Sequence, residues 1–338
     1  MPKRKTILAI CILFVIILLT CEIVLRVLGY KAYQQMDVPF TDCGRSFIKA
    51  DPYLGFSYRP GHFNCAVNGL PFTLTQEADS SRATSNSPTC DSPVIYLHGC
   101  SLTWGHGLCD SATMGWKLQH LISHGCVKNF GIGAGSNVQS YLLLKRSILD
   151  HQIPDIVVLN YTTYHHTRNC LTWPWRRLWM TILAHERPTD NSWNNITIPY
   201  ARINNNDQLE IRYMTESELQ RGVPFKEYSV VFNLLNEAYQ KFRDRDVNET
   251  IITESIIKEM AALCAEHHIR FIVTEIIKDK LADRVISDLK DRDIEVGDIS
   301  VDITNNKYNL KPYDGHPNEK ANDIYAQKLL QILNRAPN

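Results

Sequence analysis

Residues 93–107 read PVIYLHGCSLTWGHG. Val94-Ile95-Tyr96-Leu97 is a short apolar run behind a proline, the length and composition of a buried strand. Gly99-Cys100-Ser101 then signals a turn, and Ala112 to Ile122 carries apolar residues at helical spacing. The stretch therefore predicts a strand–turn–helix unit with a hydroxyl at the carboxyl end of the strand. Downstream the pattern repeats. Cys126 to Phe130 reads as a second strand entering Gly131-Ile132-Gly133-Ala134-Gly135, Asn137 to Leu149 as the helix behind it, and Asp155 to Tyr161 as a third strand. A Trp-rich, polar stretch at about 170–250 interrupts this alternation and reads as an insertion over the strand ends. Helix Ile251–His267, strand Arg270–Ile276, helix Lys280–Lys290 and a short strand Ile299–Ile303 follow, and Asn318 caps a last helix with Ala321, Ile324, Tyr325, Leu329 and Ile332 on one face. Strands alternating with helices predict an α/β fold, a three-layer α/β/α sandwich with a mainly parallel sheet. Functional sites in such sheets lie beyond the carboxyl ends of the strands.

The chain has 338 residues with 36 basic and 36 acidic side chains. A formal net charge of +0 provides no basic field for a phosphate backbone, so sequence-independent nucleic-acid binding is not expected. Residues 7–21 (ILAICILFVIILLTC) contain no charge, and the apolar pattern continues past Glu22 and Arg26 to Leu28. That is about the ~20 residues needed to span a bilayer. Lys3, Arg4 and Lys5 precede the run, which orients the N-terminus to the cytoplasm and the remainder to the periplasm or exterior. A cleaved signal peptide is the competing reading, but no small-x-small site follows the run. Leu18-Leu19-Thr20-Cys21 only faintly resembles a lipoprotein cleavage site, because Thr is a poor residue before the Cys. The expected organisation is a cytoplasmic tail at 1–5, an anchor at 6–28, a stalk at 29–92 and the main domain at 93–338. Of ten cysteines, eight lie outside the anchor, where an oxidising compartment invites bridges; Cys43 with Cys65 and Cys109 with Cys126 are the candidate pairs. No C-x-x-C occurs and no His/Cys cluster has structural zinc spacing, so neither a metal nor a cofactor is expected.

Ser101 is a candidate nucleophile that needs a base, since a free hydroxyl is protonated at neutral pH. Asp314-Gly315-His316-Pro317-Asn318 supplies an imidazole with a carboxylate two positions upstream to orient it. Each piece has an ordinary alternative: Ser101 as a helix cap, and the Asp-Gly-His-Pro turn as a loop before a capped helix. Their order along the chain favours chemistry, because Ser101 follows the first core strand and His316 precedes the last helix.

At these residues the sequence resembles the SGNH, or GDSL-like, hydrolase superfamily, in particular its membrane-anchored bacterial members. The resemblance covers roughly residues 93–170 and 251–333, with a fainter likeness at Glu22 to Tyr30 in the anchor. It implies Ser101 as nucleophile, His316 as general base, Asp314 as its orienter, and an oxyanion hole formed by the amides of Ser101 and of the Gly133–Ala134 turn. The chain departs from the family in two blocks. Gly-Cys-Ser stands where Gly-Asp-Ser is usual, and Asn160-Tyr-Thr-Thr-Tyr-His-His166 replaces Gly-x-Asn-Asp, so the expected asparagine donor is missing. Tyr164 and His165 occupy its approximate place, and His165 is the expected substitute. The activity implied is that of a membrane-anchored serine ester hydrolase acting on an acylated substrate, with carbohydrate O-acetyl esters the class that related anchored proteins suggest. Transfer of acyl groups between envelope glycans, or a silent glycan-binding scaffold, are the alternatives. Trp173, Trp175 and Trp179 are expected in the core, with a substrate wall or a membrane contact as the competing roles.

Overall fold

The computed structural model describes residues 2–36, 41–44, 47–86, 90–186 and 191–336, and the side chains of these from Arg4 onward. In chain order its elements are α1 (Pro2–Val27), β1 (Ile48–Asp51), β2 (Gly55–Tyr58), β3 (Gly61–Val67), β4 (Leu70–Gln76), β5 (Val94–Gly99), α2 (Ser101–Trp104) and α3 (Met114–Leu121). Next come β6 (Cys126–Gly131), α4 (Asn137–Leu149), β7 (Ile156–Tyr161), α5 (His165–Asn169), α6 (Trp173–Glu186), β8 (Thr197–Ile203), β9 (Leu209–Thr215), α7 (Glu216–Gln220) and α8 (Val230–Arg243). The chain closes with α9 (Glu249–Glu266), β10 (Arg270–Glu275), α10 (Lys280–Lys290), β11 (Glu295–Asp298) and α11 (Glu319–Leu333). They divide into two compact units.

The larger unit spans Pro39–Leu171, Leu183–Thr215 and Asn248–Asn338. Its centre is a five-stranded sheet, all parallel, in the order β6-β5-β7-β10-β11. Strand side chains alternate between faces. Ile95 and Leu97 of β5 join Val127, Val158 and Ile272 beneath Met114 and Leu118 of α3 and Tyr325, Leu329 and Ile332 of α11. On β5, Tyr96 and His98 take the other parity and meet Phe130, with ring centroids 4.6 and 5.7 Å away. α4 and α9 pack together in this unit, so helices cover the sheet on both faces as the alternation predicted. The order places β5 between β6 and β7. The chain runs outward in opposite directions from β5, which opens a crevice at its carboxyl end.

Three expectations need correction. The segment read as a stalk at 29–92 contains the antiparallel hairpins β1–β2 and β3–β4, and Arg82 pairs with Asn129 at the edge of the parallel sheet. These strands are short, and all but the buried β2 are partly exposed, so they lack the continuous apolar run that marks a buried strand; residues 37–40, 45–46 and 87–89 of the expected stalk lie outside the described residues. The fifth strand is Glu295–Asp298, not Ile299–Ile303. Glu, Gly and Asp are poor strand formers, but an edge strand pairing with β10 alone needs little propensity, and only Ile299 extends the ladder, donating to the Glu275 carbonyl at 3.0 Å. Disulfides join Cys43 to Cys65, as expected, and Cys90 to Cys126, so the expected Cys109–Cys126 pair fails and Cys109 is free and exposed.

The smaller unit comprises Met1–Val38, Thr172–Ile182 and Glu216–Val247. The expected insertion at about 170–250 is therefore shared between the units, with the β8–β9 hairpin belonging to the larger one. Trp173 and Trp179 are buried, and the Trp173 indole donates to the Glu237 carboxylate at 3.0 Å. Arg176, 1% exposed, forks onto Asp244 at 2.8 and 2.9 Å and reaches Gln240 at 2.9 Å. A planar guanidinium suits such a bidentate pair.

Candidate active site

The turn that carries Ser101 is shaped by close approach. Gly99 ends β5 at φ 153°, and a Cβ there would lie 2.3 Å from Thr103 Oγ1. At the end of β6, a Cβ on Gly131 would lie 2.4 Å from the Trp104 nitrogen. No larger residue fits at either position without moving the turn. Cys100 is extended, and α2 then begins at Ser101. Asparagines from both neighbouring strands hold the turn: Asn129 donates to the Thr103 carbonyl at 2.9 Å, and Asn160 donates to the Thr103 hydroxyl at 3.1 Å while accepting from Thr274 at 2.6 Å. Behind it Arg82, 1% exposed, donates to the carbonyls of Trp104 (2.9 Å), Gly105 (2.7 Å) and Leu108 and to Asp110 (2.9 Å). Its guanidinium lies 5.0 Å from the centroid of the Trp104 ring. Nothing in the sequence singles out Arg82, since it sits in a Ser/Thr-rich stretch without periodicity.

His316 lies in the loop before α11. Asn318 fixes both ends of that loop, capping Ala321 N–H at 3.2 Å and donating to the carbonyls of Lys307 and Asn309, each at 2.9 Å. The two-residue spacing of Asp314 and His316 has a local cause. The Asp314 carboxylate accepts the backbone N–H of His316 at 2.6 Å, an Asx turn, and the same oxygen meets His316 Nδ1. His316 Nε2 lies 2.9 Å from Ser101 Oγ. Burial alone would raise the Asp314 carboxyl; its hydrogen bond and charge contact with His316 outweigh that and hold it at about 2. Asp314 is thus ionised throughout the neutral range, the state that orients an imidazole and stabilises its protonated form.

His106 completes this corner. Its ring centroid is 4.3 Å from that of His316, and its Nδ1 is 3.2 Å from Thr41 Oγ1. Burial, reinforced by the His316 charge, pushes His106 down to about 3, so a neutral ring backs His316. Donor atoms of His106, Asp314 and His316 lie within 4.8 Å of one another, a spacing that suits a metal ion. Both His316 nitrogens are already engaged, however, so an ion here would replace the contact to Ser101 or to Asp314.

At the end of β6, Gly133 N–H donates to Tyr58 Oη at 2.7 Å, and Ala134 has φ 56°. The Tyr58 ring stacks on Trp104 with centroids 5.2 Å apart. Among the described residues, the amides of Ser101 and Ala134 donate to no protein acceptor. His165 starts α5 fully buried, and neither ring nitrogen has a hydrogen-bond partner. Burial, with Arg168 and His166 adding, drives its pKa well below the usual histidine value. No hydrogen bond or ring contact among the described residues joins His165 to Ser101 or His316. The adjacent His166 faces Tyr161 Oη at 2.7 Å, and Tyr164 is exposed. The structure therefore brings Ser101, His316 and Asp314 into one hydrogen-bonded series and leaves His165 outside it. Tyr58, Arg82 and the position of His106 were not legible, because each acts across a contact distant in sequence.

No protein-family model matches the chain, and no curated protein matches it in sequence. Solved structures do resemble it. A member of the lipolytic protein G-D-S-L family from Veillonella parvula DSM 2008 shares 11% identity over 72% of this chain and 99% of its own, with a TM-score of 0.41. A GDSL-like lipase from Bacteroides thetaiotaomicron VPI-5482 shares 14% identity over 71% of this chain and 86% of its own, with a TM-score of 0.35.

Proposed function

We propose that the chain is a membrane-anchored serine ester hydrolase acting on an acylated substrate, with carbohydrate O-acetyl esters as the substrate class to test first. The observation that carries this reading is the hydrogen-bonded series Asp314–His316–Ser101 at the carboxyl end of β5. In the reaction, Ser101 Oγ attacks the acyl carbonyl while His316 Nε2 takes its proton. His316 returns that proton to the departing alcohol, then activates water to cleave the acyl-serine ester. Negative charge on the tetrahedral oxygen would meet the unengaged amides of Ser101 and Ala134. The Gly133 amide would have to leave Tyr58 to join them. Hydrolysis of p-nitrophenyl acetate by the full-length protein, without a sugar acceptor, tests the reading. Product that appears only when a glycan acceptor is supplied would instead make it an acyltransferase.

His165 is the proposed side-chain donor to that oxygen, supported by its place just beyond the carboxyl end of β7 and by ring nitrogens that bond to nothing else. His165→Ala should lower kcat about 100-fold with little change in KM, the signature of a group that binds the transition state only. Wild-type turnover in His165→Ala would leave the hole to the backbone amides.

The anchor is supported by α1 itself, whose stretch Arg4–Val27 is apolar enough to cross a bilayer. Two disulfides fit the oxidising side of the membrane. The end of α1 is also built into the smaller unit. Glu22 accepts from Ser229 Oγ at 2.7 Å and from the amides of Val230 and Val231 at 3.0 and 3.1 Å, capping α8, and Arg26 bonds the Tyr228 carbonyl at 2.8 Å. Removal of α1 as a signal peptide would leave the first amides of α8 uncapped.

A further inference from the structure

Helix α8 is amphipathic the wrong way round for a soluble protein. The side it turns inward is mainly polar: past Val230 in its first turn, its buried residues are Asn236 and Gln240, Gln240 accepting from Arg176 at 2.9 Å and donating to the Arg221 carbonyl at 2.8 Å, and Asn236 accepting from the Val223 amide at 3.2 Å. The side it turns outward is apolar. Leu234, Leu235 and Phe242 are 39%, 52% and 60% exposed, and with half-buried Val231 and exposed Ala238 they follow the i, i+3, i+4, i+7, i+11 spacing of one helix face. Just before the helix, Phe225 and Tyr228 are 64% and 78% exposed. A soluble surface helix shows the opposite arrangement.

The contact with α1 says what covers this face. The membrane-crossing stretch Arg4–Val27 is 24 residues, about 36 Å at the rise of an α-helix, against a hydrocarbon core of about 30 Å. Glu22 stands five residues before its end, about 7.5 Å, and so falls within about 5 Å of the boundary between hydrocarbon and headgroups. Because the Glu22 carboxylate holds the first amides of α8, that helix starts at the same depth. Aromatic residues favour this zone, and amphipathic helices lie in it with the apolar face toward the acyl chains.

We infer that α8 is an interfacial helix, lying on the bilayer that α1 spans and burying Phe225, Tyr228, Leu234, Leu235 and Phe242 in the headgroup–acyl boundary. The inference rests on the anchor reading. It adds a second, lateral membrane contact that would fix the orientation of the smaller unit on the surface.

The test uses full-length protein in phosphatidylcholine/phosphatidylglycerol vesicles, with exposed Cys11, Cys21 and Cys109 changed to Ser. Leu235→Cys or Phe242→Cys then carries an environment-sensitive fluorophore. Both positions are exposed, so neither change removes a core contact. Carbonate extraction of the same vesicles reports on α1 separately. Retention in the membrane, with blue-shifted emission at both positions that is quenched by lipids bearing a nitroxide near the headgroup, is the expected result. Retention with emission that those lipids do not quench would overturn the interfacial helix while leaving the anchor in place, whether the face then meets water or another protein. Release by carbonate together with unquenched emission would overturn both.

Discussion

Ser101→Ala should lower hydrolysis of a small acetyl ester by at least about four orders of magnitude, while Cys100→Ala keeps most of the activity. The two residues are neighbours, but the backbone sends their side chains to different places. Cys100 is 1% exposed and belongs to the apolar cluster with Leu102, Met114 and Tyr325, whereas Ser101 Oγ lies 2.9 Å from His316 Nε2. A thiol packed under the turn has neither the base nor the approach needed to attack an ester. Kinetics of the two purified variants decide the matter, and loss of activity in Cys100→Ala with retention in Ser101→Ala would make this a thiol enzyme.

His316→Ala should be nearly as severe as Ser101→Ala, because the members of such a series act as a unit and removing any one forfeits most of what they do together. His106 cannot take over. Its ring rests against His316, but its Nδ1 faces Thr41 and it makes no hydrogen bond to Ser101. Asp314→Asn should cost about 10⁴-fold in kcat with the fold retained. An amide is close to isosteric with the carboxylate, but it can present its NH₂ to Nδ1 and thereby favour the wrong tautomer. Near-wild-type turnover in Asp314→Asn would show that the Asx turn alone positions the ring.

The strands and helices that alternate were legible because each is long or apolar enough to carry its own period. Val94–Leu97, Asn137–Leu149 and Lys280–Lys290 appear with boundaries at or within two residues of those read from sequence. The hairpins between Ile48 and Gln76 were hidden for the opposite reason: their strands are short and, β2 aside, partly exposed, and they are tied in by partners outside the hairpins, such as Cys43 with Cys65 and Arg82 with Asn129. In the site, the pairing of Asp314 with His316 was readable because it is local, a carboxylate two residues before a ring. The wall formed by His106 and the lock formed by Arg82 were not, since each depends on a contact that only the folded chain creates. α8 falls in the stretch read from sequence only as a Trp-rich, polar insertion. Only burial reveals which of its faces is turned outward.

The most direct test of the account is reaction of the full-length protein with a fluorophosphonate, followed by mapping of the modified peptide by mass spectrometry. A serine whose hydroxyl is activated by His316 should become phosphonylated at Ser101, and the adduct should disappear in His316→Ala although Ser101 is still present. An unmodified Ser101 in the wild-type protein, or an adduct that forms equally well without His316, would contradict the assignment of nucleophile and base.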